Sequence, residues 1–103
     1  MSETAHFDPV IHPPNRLQIC AMLAAVSSAE FAAVRDGVGV SDSVLSKHVR
    51  QLEEAGYVKI EKATVASRVR TWLKLTPEGR RAFAAHLAAL ERLVAEAGAA
   101  AGR

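Results

Sequence analysis

The sequence predicts a mainly α fold with a small β-hairpin, in the order helix, helix, helix, hairpin, long helix. Three observations lead there. Apolar residues recur at helical spacing in stretches beginning near Pro14, Phe31, Ser41 and Pro77. Two alternating runs, Tyr57 to Lys62 and Arg70 to Leu75, lie close enough in the chain to pair as a hairpin. The 103 residues, half of them hydrophobic and many of those alanine, suffice for one modest core but not for two.

Residues 1–12 read as an arm that Phe7, Val10 and Ile11 can pin to the body. Pro13 and Pro14 precede the first helix, expected over Pro14 to Val26, since proline is tolerated in a first helical turn. Leu17, Ala21 and Ala24 fall on one side of it, and Ile19, Leu23 and Val26 on nearly the opposite side. A helix apolar on both faces must be covered on both. Ser27 to Glu30 break the pattern, and Phe31 to Val38 form a short helix ended by Gly37 and Gly39.

Ser41 caps the third helix, and Asp42 complements its positive end. Leu45, Val49 and Leu52 make its buried stripe, leaving Ser43, Lys47, Arg50 and Glu54 on the outer side, flanked by Val44, Ser46 and Gln51. Gly56 serves as C-terminal cap. The hairpin follows, with Val58 and Ile60 inward and a tip expected over Ala63 to Val69. Thr76-Pro77-Glu78 then start the last helix, near Pro77 to Ala97. Its stripe of Phe83, Leu87, Leu90, Val94 and Ala97 is longer than so small a core needs. Ala99 to Arg103 reads as frayed. The expected division is an arm (1–12), a core (13–76), a C-terminal dimerisation helix (77–97) and a tail (98–103).

The net charge of +2 is uneven. Residues 1–41 balance at −2, residues 42–81 at +4 and residues 82–103 at zero. The positive charge coincides with the third helix and the hairpin, a footprint suited to a polyanion. The lone Cys20 excludes an intramolecular disulfide and fits a reducing, cytoplasmic setting. No apolar run approaches a membrane span, and no basic-then-apolar leader opens the chain. There is no phosphate-binding glycine loop, hydrolase metal spacing or nucleophile with a base partner, so no enzyme and no cofactor are expected. His6, His12, His48, His86 and Cys20 lack the close spacing of a metal site.

Three segments resemble winged-helix regulators of the MarR and ArsR type, in their short form: DPVIHPPNRLQICAML (8–23), SDSVLSKHVRQLEEAGYV (41–58) and RTWLKLTPEGRRAF (70–83). The resemblance implies a winged helix-turn-helix whose helix 41–55 enters a DNA major groove. The hairpin, or wing, would bring residues 62–70 near the adjacent minor groove. The wing tip, ATVASRV, keeps Arg68 but lacks the glycines and the carboxylate common among such proteins. The candidate DNA-binding residues are Ser41, Ser43, Val44, Ser46, Lys47, Arg50, Lys62, Arg68 and Arg70. Ser41 and Ser46 suit phosphates, and Arg70 equally suits a structural salt bridge. Ile19, Leu23, Phe83, Leu87, Leu90 and Val94 are the candidate dimer interface. A homodimeric repressor on a pseudo-palindromic duplex is the leading expectation, with an unknown small-molecule effector as a further partner. Its rivals are a winged helix used for protein–protein contact and a ligand- or redox-gated regulator using Cys20, for which the plainer account is an inert buried filler.

Overall fold

A computed structural model of the chain describes residues 7–102. Residues 1–6 of the arm, His6 among them, and Arg103 lie outside the described residues. The elements are α1 (Pro14–Ala24), β1 (Ala29–Glu30), α2 (Phe31–Val38), α3 (Asp42–Glu54), β2 (Val58–Val65), β3 (Arg68–Leu75) and α4 (Pro77–Ala101). The sheet is antiparallel in the order β1-β3-β2.

Pro14 occupies the first turn of α1, and Ile19, Cys20 and Leu23 are its buried residues. They meet Val34 of α2, Leu45, Val49 and Leu52 of α3, and Val58, Leu73 and Leu75 of the sheet in one core. Ile11 of the arm is wholly buried in the same core, while Val10 packs against it. Truncating a core leucine such as Leu45 to alanine would cost about 2–5 kcal/mol.

Ile19 and Leu23 correct the expected dimer interface, because both are 0% exposed inside one chain. On the other expected face, Leu17 and Ala24 are partly buried and Ala21 is exposed. Val26, just past the helix, is also exposed. Arg80 of α4 covers the C-terminal end of α1, donating to the carbonyls of Ala24 (3.2 Å) and Val26 (2.9 Å).

Two further differences concern the wing. β1 falls in the stretch expected to be a break, pairing Ala29 with Leu73 and Glu30 with Trp72. The expected long tip is instead a two-residue turn, Ala66-Ser67, with φ of 50° and 66°. Both strands therefore run further, with Val65 opposite Arg68. Positive φ at both turn residues gives the reversal that matches the twist of the flanking strands.

α4 starts where expected. Thr76 Oγ1 accepts from the Gly79 amide (2.9 Å) and donates to the Gly56 carbonyl (2.6 Å), fastening the helix to the base of the wing. Gly79 is buried there, and a Cβ on it would lie 2.1 Å from the Tyr57 carbonyl oxygen. The helix continues to Ala101, past the expected fraying point, in keeping with the helical preference of its alanines. It buries Gly79, His86 and Ala89, so the face it lays on the core is rotated from the Phe83-Leu87-Leu90-Val94 stripe. Gly79, without a side chain, lets the start of the helix approach the Tyr57 backbone closely. Among the described residues, no helix is long and apolar enough to cross a membrane.

Candidate nucleic-acid interface

α2 and α3 are joined by a tight turn. Gly39 sits at φ 79°, a left-handed conformation, and its amide closes α2 on the Arg35 carbonyl at 2.8 Å. Arg35 pairs with Asp36 (2.9 Å) and with Asp42 at the start of α3 (2.8 Å), bridging the two helices at the surface. Ser41 caps α3 by accepting from the Val44 amide at 3.2 Å, with Ser43 Oγ 3.3 Å away. Leu45, Val49 and Leu52 anchor the inner face. Ser43, Val44, Ser46, Lys47 and Arg50 are all exposed on the outer side.

The wing lies beside this helix. Ser46, Arg50 and Glu53 of α3 line one groove together with Lys62 of β2 and Thr71 of β3. Ser43, Ser46, Lys47 and Arg50 border a second, shallower one along the helix itself. Cross-strand register puts Lys62 and Thr71 on the core-side face of the hairpin, continuing past the core, and Arg68 and Arg70 on the opposite face. Arg50 and Lys62 thus converge on one groove, while Arg68 marks the far side of the tip.

The electrostatics divide these cations. Arg70 Nη1 donates to both Glu30 carboxylate oxygens, at 3.1 and 2.9 Å, which is the structural role set beside DNA contact for that residue. Lys59 and Lys74 both pair with Glu61. Lys47, Arg50, Lys62 and Arg68 are exposed and make no ion pair or hydrogen bond among the described residues. Four unneutralised cations on one helix and the adjoining hairpin form an anion-seeking surface.

Behind α3, Arg16 of α1 reaches through to Gln51 Oε1 and to His48 Nδ1, the latter at 3.2 Å. Burial, Arg16 and Lys47 hold the His48 imidazole below its usual range. Sequence spacing carries no sign of this clasp, since Arg16 lies 32 and 35 positions from its partners and only the fold brings them together.

Cys20 is fully buried, and burial with the nearby Asp8 carboxylate pushes its thiol up to about 12 despite Arg16. A thiol with so little thiolate at neutral pH is a packing residue, and the redox-gated alternative finds no support in it. No group of three metal-ligating side chains occurs among the described residues. Of the expected dimer residues on α4, Phe83 and Leu90 are half-buried, while Leu87 and Val94 are exposed, as is Leu93, which the stripe did not include.

Comparison with known proteins bears on this geometry. A family model described as a winged helix DNA-binding domain matches residues 15–94. An uncharacterized protein of Methanocaldococcus jannaschii is 35% identical over 68 residues, covering 66% of this chain and 74% of that protein. Among solved structures, a transcriptional regulator homologue from Pyrococcus horikoshii superposes with a TM-score of 0.79 at 28% identity, over 84% of this chain and 86% of that one. A MarR-family regulator from Enterococcus faecalis, described as putative in its structure report, gives 0.81 at 21% identity over 91% and 84%. A homodimeric winged helix-turn-helix DNA-binding domain from Mycobacterium bovis, described as of possible ArsR family, gives 0.63 at 22% over 84% and 72%.

Proposed function

Because the chain belongs to the winged helix DNA-binding domain family, we propose that it works as a homodimeric transcriptional repressor on a pseudo-palindromic duplex. The protein is of the DNA-binding transcriptional regulator type, and not an enzyme. The observation that carries the finer reading is the set of four cations, Lys47, Arg50, Lys62 and Arg68, on α3 and the wing, none of them paired among the described residues.

In this reading α3 lies in the major groove, and its N-terminal half meets base edges. Ser43 and Lys47 offer donors there, and the exposed Val44 offers methyl groups suited to a thymine methyl. Arg50 and Lys62, lining one groove, straddle the phosphate ridge between major and minor grooves. Arg68 reaches toward the minor groove from the wing tip. Ser41, with its hydroxyl committed to the Val44 amide, and Ser46 contribute phosphate contacts. Arg70 stays with Glu30.

Dimerisation is supported by the exposed Leu87, Leu93 and Val94 of α4, an apolar surface the single chain leaves uncovered. A second copy doubles the phosphate contacts and sets a half-site spacing of about one helical turn. The M. bovis relative of the same fold is itself homodimeric. This reading puts the protein in the cytoplasm with its DNA.

The test is duplex binding across a salt series, using duplexes selected from a random pool, with oligomeric state followed by sedimentation. Eight such cations per dimer give a slope of log affinity against log salt approaching about −7. Lys47→Ala with Arg50→Ala should weaken binding by about a hundredfold at unchanged melting temperature. Undiminished binding by that double variant refutes the reading. Binding indifferent to salt, or none beside tight binding of a protein partner, favours the protein–protein alternative.

A further inference from the structure

We propose that the segment Asp8–His12 is a strap, locked by the His12–His86 pair, that positions the reading helix and lets go when that pair takes up a proton. It rests on α3 being the helix that meets DNA.

The lock follows from where protons must sit. His86, on α4, is 1% exposed, and both its ring nitrogens are partnered. Nδ1 accepts the Asp8 backbone N–H at 2.9 Å, so the ring's own proton is on Nε2. Nε2 stands 3.2 Å from His12 Nδ1 and donates to it, which leaves the His12 proton on its far nitrogen. A further proton on His86 lands on Nδ1, against the Asp8 N–H. A further proton on His12 lands on Nδ1, against the His86 N–H. If His86 moves its proton to make room, it again meets the Asp8 N–H. Every protonated arrangement forfeits at least one of the two hydrogen bonds, and only the neutral pair keeps both. Phe7 closes the site, stacked on His12 with centroids 4.9 Å apart and edge-on to His86 at 5.5 Å.

The strap is fastened elsewhere too. Asp8 Oδ2 accepts from the Tyr57 hydroxyl at 2.7 Å, just ahead of β2, and Oδ1 accepts from the Val10 amide at 2.8 Å. The Val10 carbonyl accepts from Arg16 Nε, and Arg16 in turn holds Gln51 and His48 of α3. Arg16 is therefore a positioning residue, and the strap joins α4, the base of the wing and the reading helix.

The titratable and charged groups around the strap are Asp8 and His12 on it, Cys20 and Arg16 on α1, Tyr57 ahead of β2 and Glu78 on α4. Burial and the adjacent His12 hold the His86 imidazole below its ordinary range, outweighing the Asp8 carboxylate, which favours the cation. The unfolded chain then binds more protons than the folded one. The strap's contribution is complete above the ordinary imidazole pKa of about 6.5 and erodes as pH falls below it.

The experiment uses the full chain. Ring protons of His12 and His86 and the Asp8 amide are followed by NMR from pH 7.5 to 5, and binding of a selected duplex is measured over the same range at fixed ionic strength. The Asp8 amide and Tyr57 ring signals should move with the histidine titration, and affinity should fall by about tenfold. His86→Asn keeps an acceptor for the Asp8 N–H and does not titrate, so its affinity should hold within about twofold. If that variant does not fold, His12→Gln serves, since His12 is exposed and the amide oxygen still accepts from His86. The midpoint of the fall should then shift, because one of the two rings that share the hydrogen bond is gone.

An Asp8 amide that stays put while the rings titrate overturns the strap. So does a wild-type fall retained in His86→Asn, or an unmoved midpoint in His12→Gln. His48→Gln separates the other imidazole near DNA: a fall lost there and kept in His86→Asn overturns the assignment. If no duplex binds at any pH, the functional reading fails, and the NMR signals alone decide whether the strap releases.

Discussion

At the base of the β2–β3 hairpin, Arg70 is gripped by Glu30, Lys59 and Lys74 share Glu61, and Thr76 and Gly79 clamp the Gly56–Tyr57 backbone to α4. Toward the tip, and on the facing side of α3, Lys62, Arg68, Lys47 and Arg50 have no such partner among the described residues. Arg68 and Arg70 share one strand and one face and still differ in this way. A cation with a carboxylate beside it contributes to the fold and little to the outside field. One without contributes its whole potential to a passing polyanion. The +4 balance of residues 42–81 mixes the two kinds.

Substitutions can break or sharpen that contrast. The largest effect should come from the base: Gly79→Ala drives a Cβ into the Tyr57 carbonyl and should cost on the order of 3 kcal/mol or more by chemical denaturation. Next comes the tip. Arg68→Ala should leave the melting temperature alone, weaken duplex binding by about tenfold and reduce the salt slope by about one per copy. Arg70→Ala should do the reverse, losing about 1 kcal/mol of stability or less with duplex affinity within about twofold, because its pair with Glu30 is partly exposed. If Arg70→Ala weakened binding as Arg68→Ala does, the division between base and tip would collapse. The smallest change is Ser67→Gly, which relieves a positive φ at the turn and should raise stability by about 0.5 kcal/mol, measured by the same denaturation.

The outline of this fold was legible where local chemistry decides it. Phe31–Val38 matches the expected second helix, and the caps at Ser41 and Thr76 stand where a hydroxyl precedes an apolar run. The exposed set on α3 followed from periodicity alone. What escaped was set by partners far along the chain. Ala29–Glu30 carries no strand signal of its own and is a strand only because β3 lies alongside. The Ala66-Ser67 turn lacks the Asn or Gly that usually announces positive φ, so the sequence suggests a looser wing than the structure has. Helical spacing shows that Ile19 and Leu23 want cover, but not that the chain's own core, rather than a second copy, supplies it. The bonds from His86 to Asp8 and His12 span 78 and 74 positions, and neither histidine lies in a motif.

The second half of α4 has a thermodynamic consequence. Residues 91–100 are exposed throughout, so this part of α4 rests on propagation from the packed turns before it rather than on contacts of its own. In the proposed dimer, a second copy that covers Leu87, Leu93 and Val94 adds packing to the last three turns of α4. Their order then scales with chain concentration, by mass action. Dilution of that dimer would then loosen the end of the helix, and the firmness of its last turns would follow the abundance of the chain.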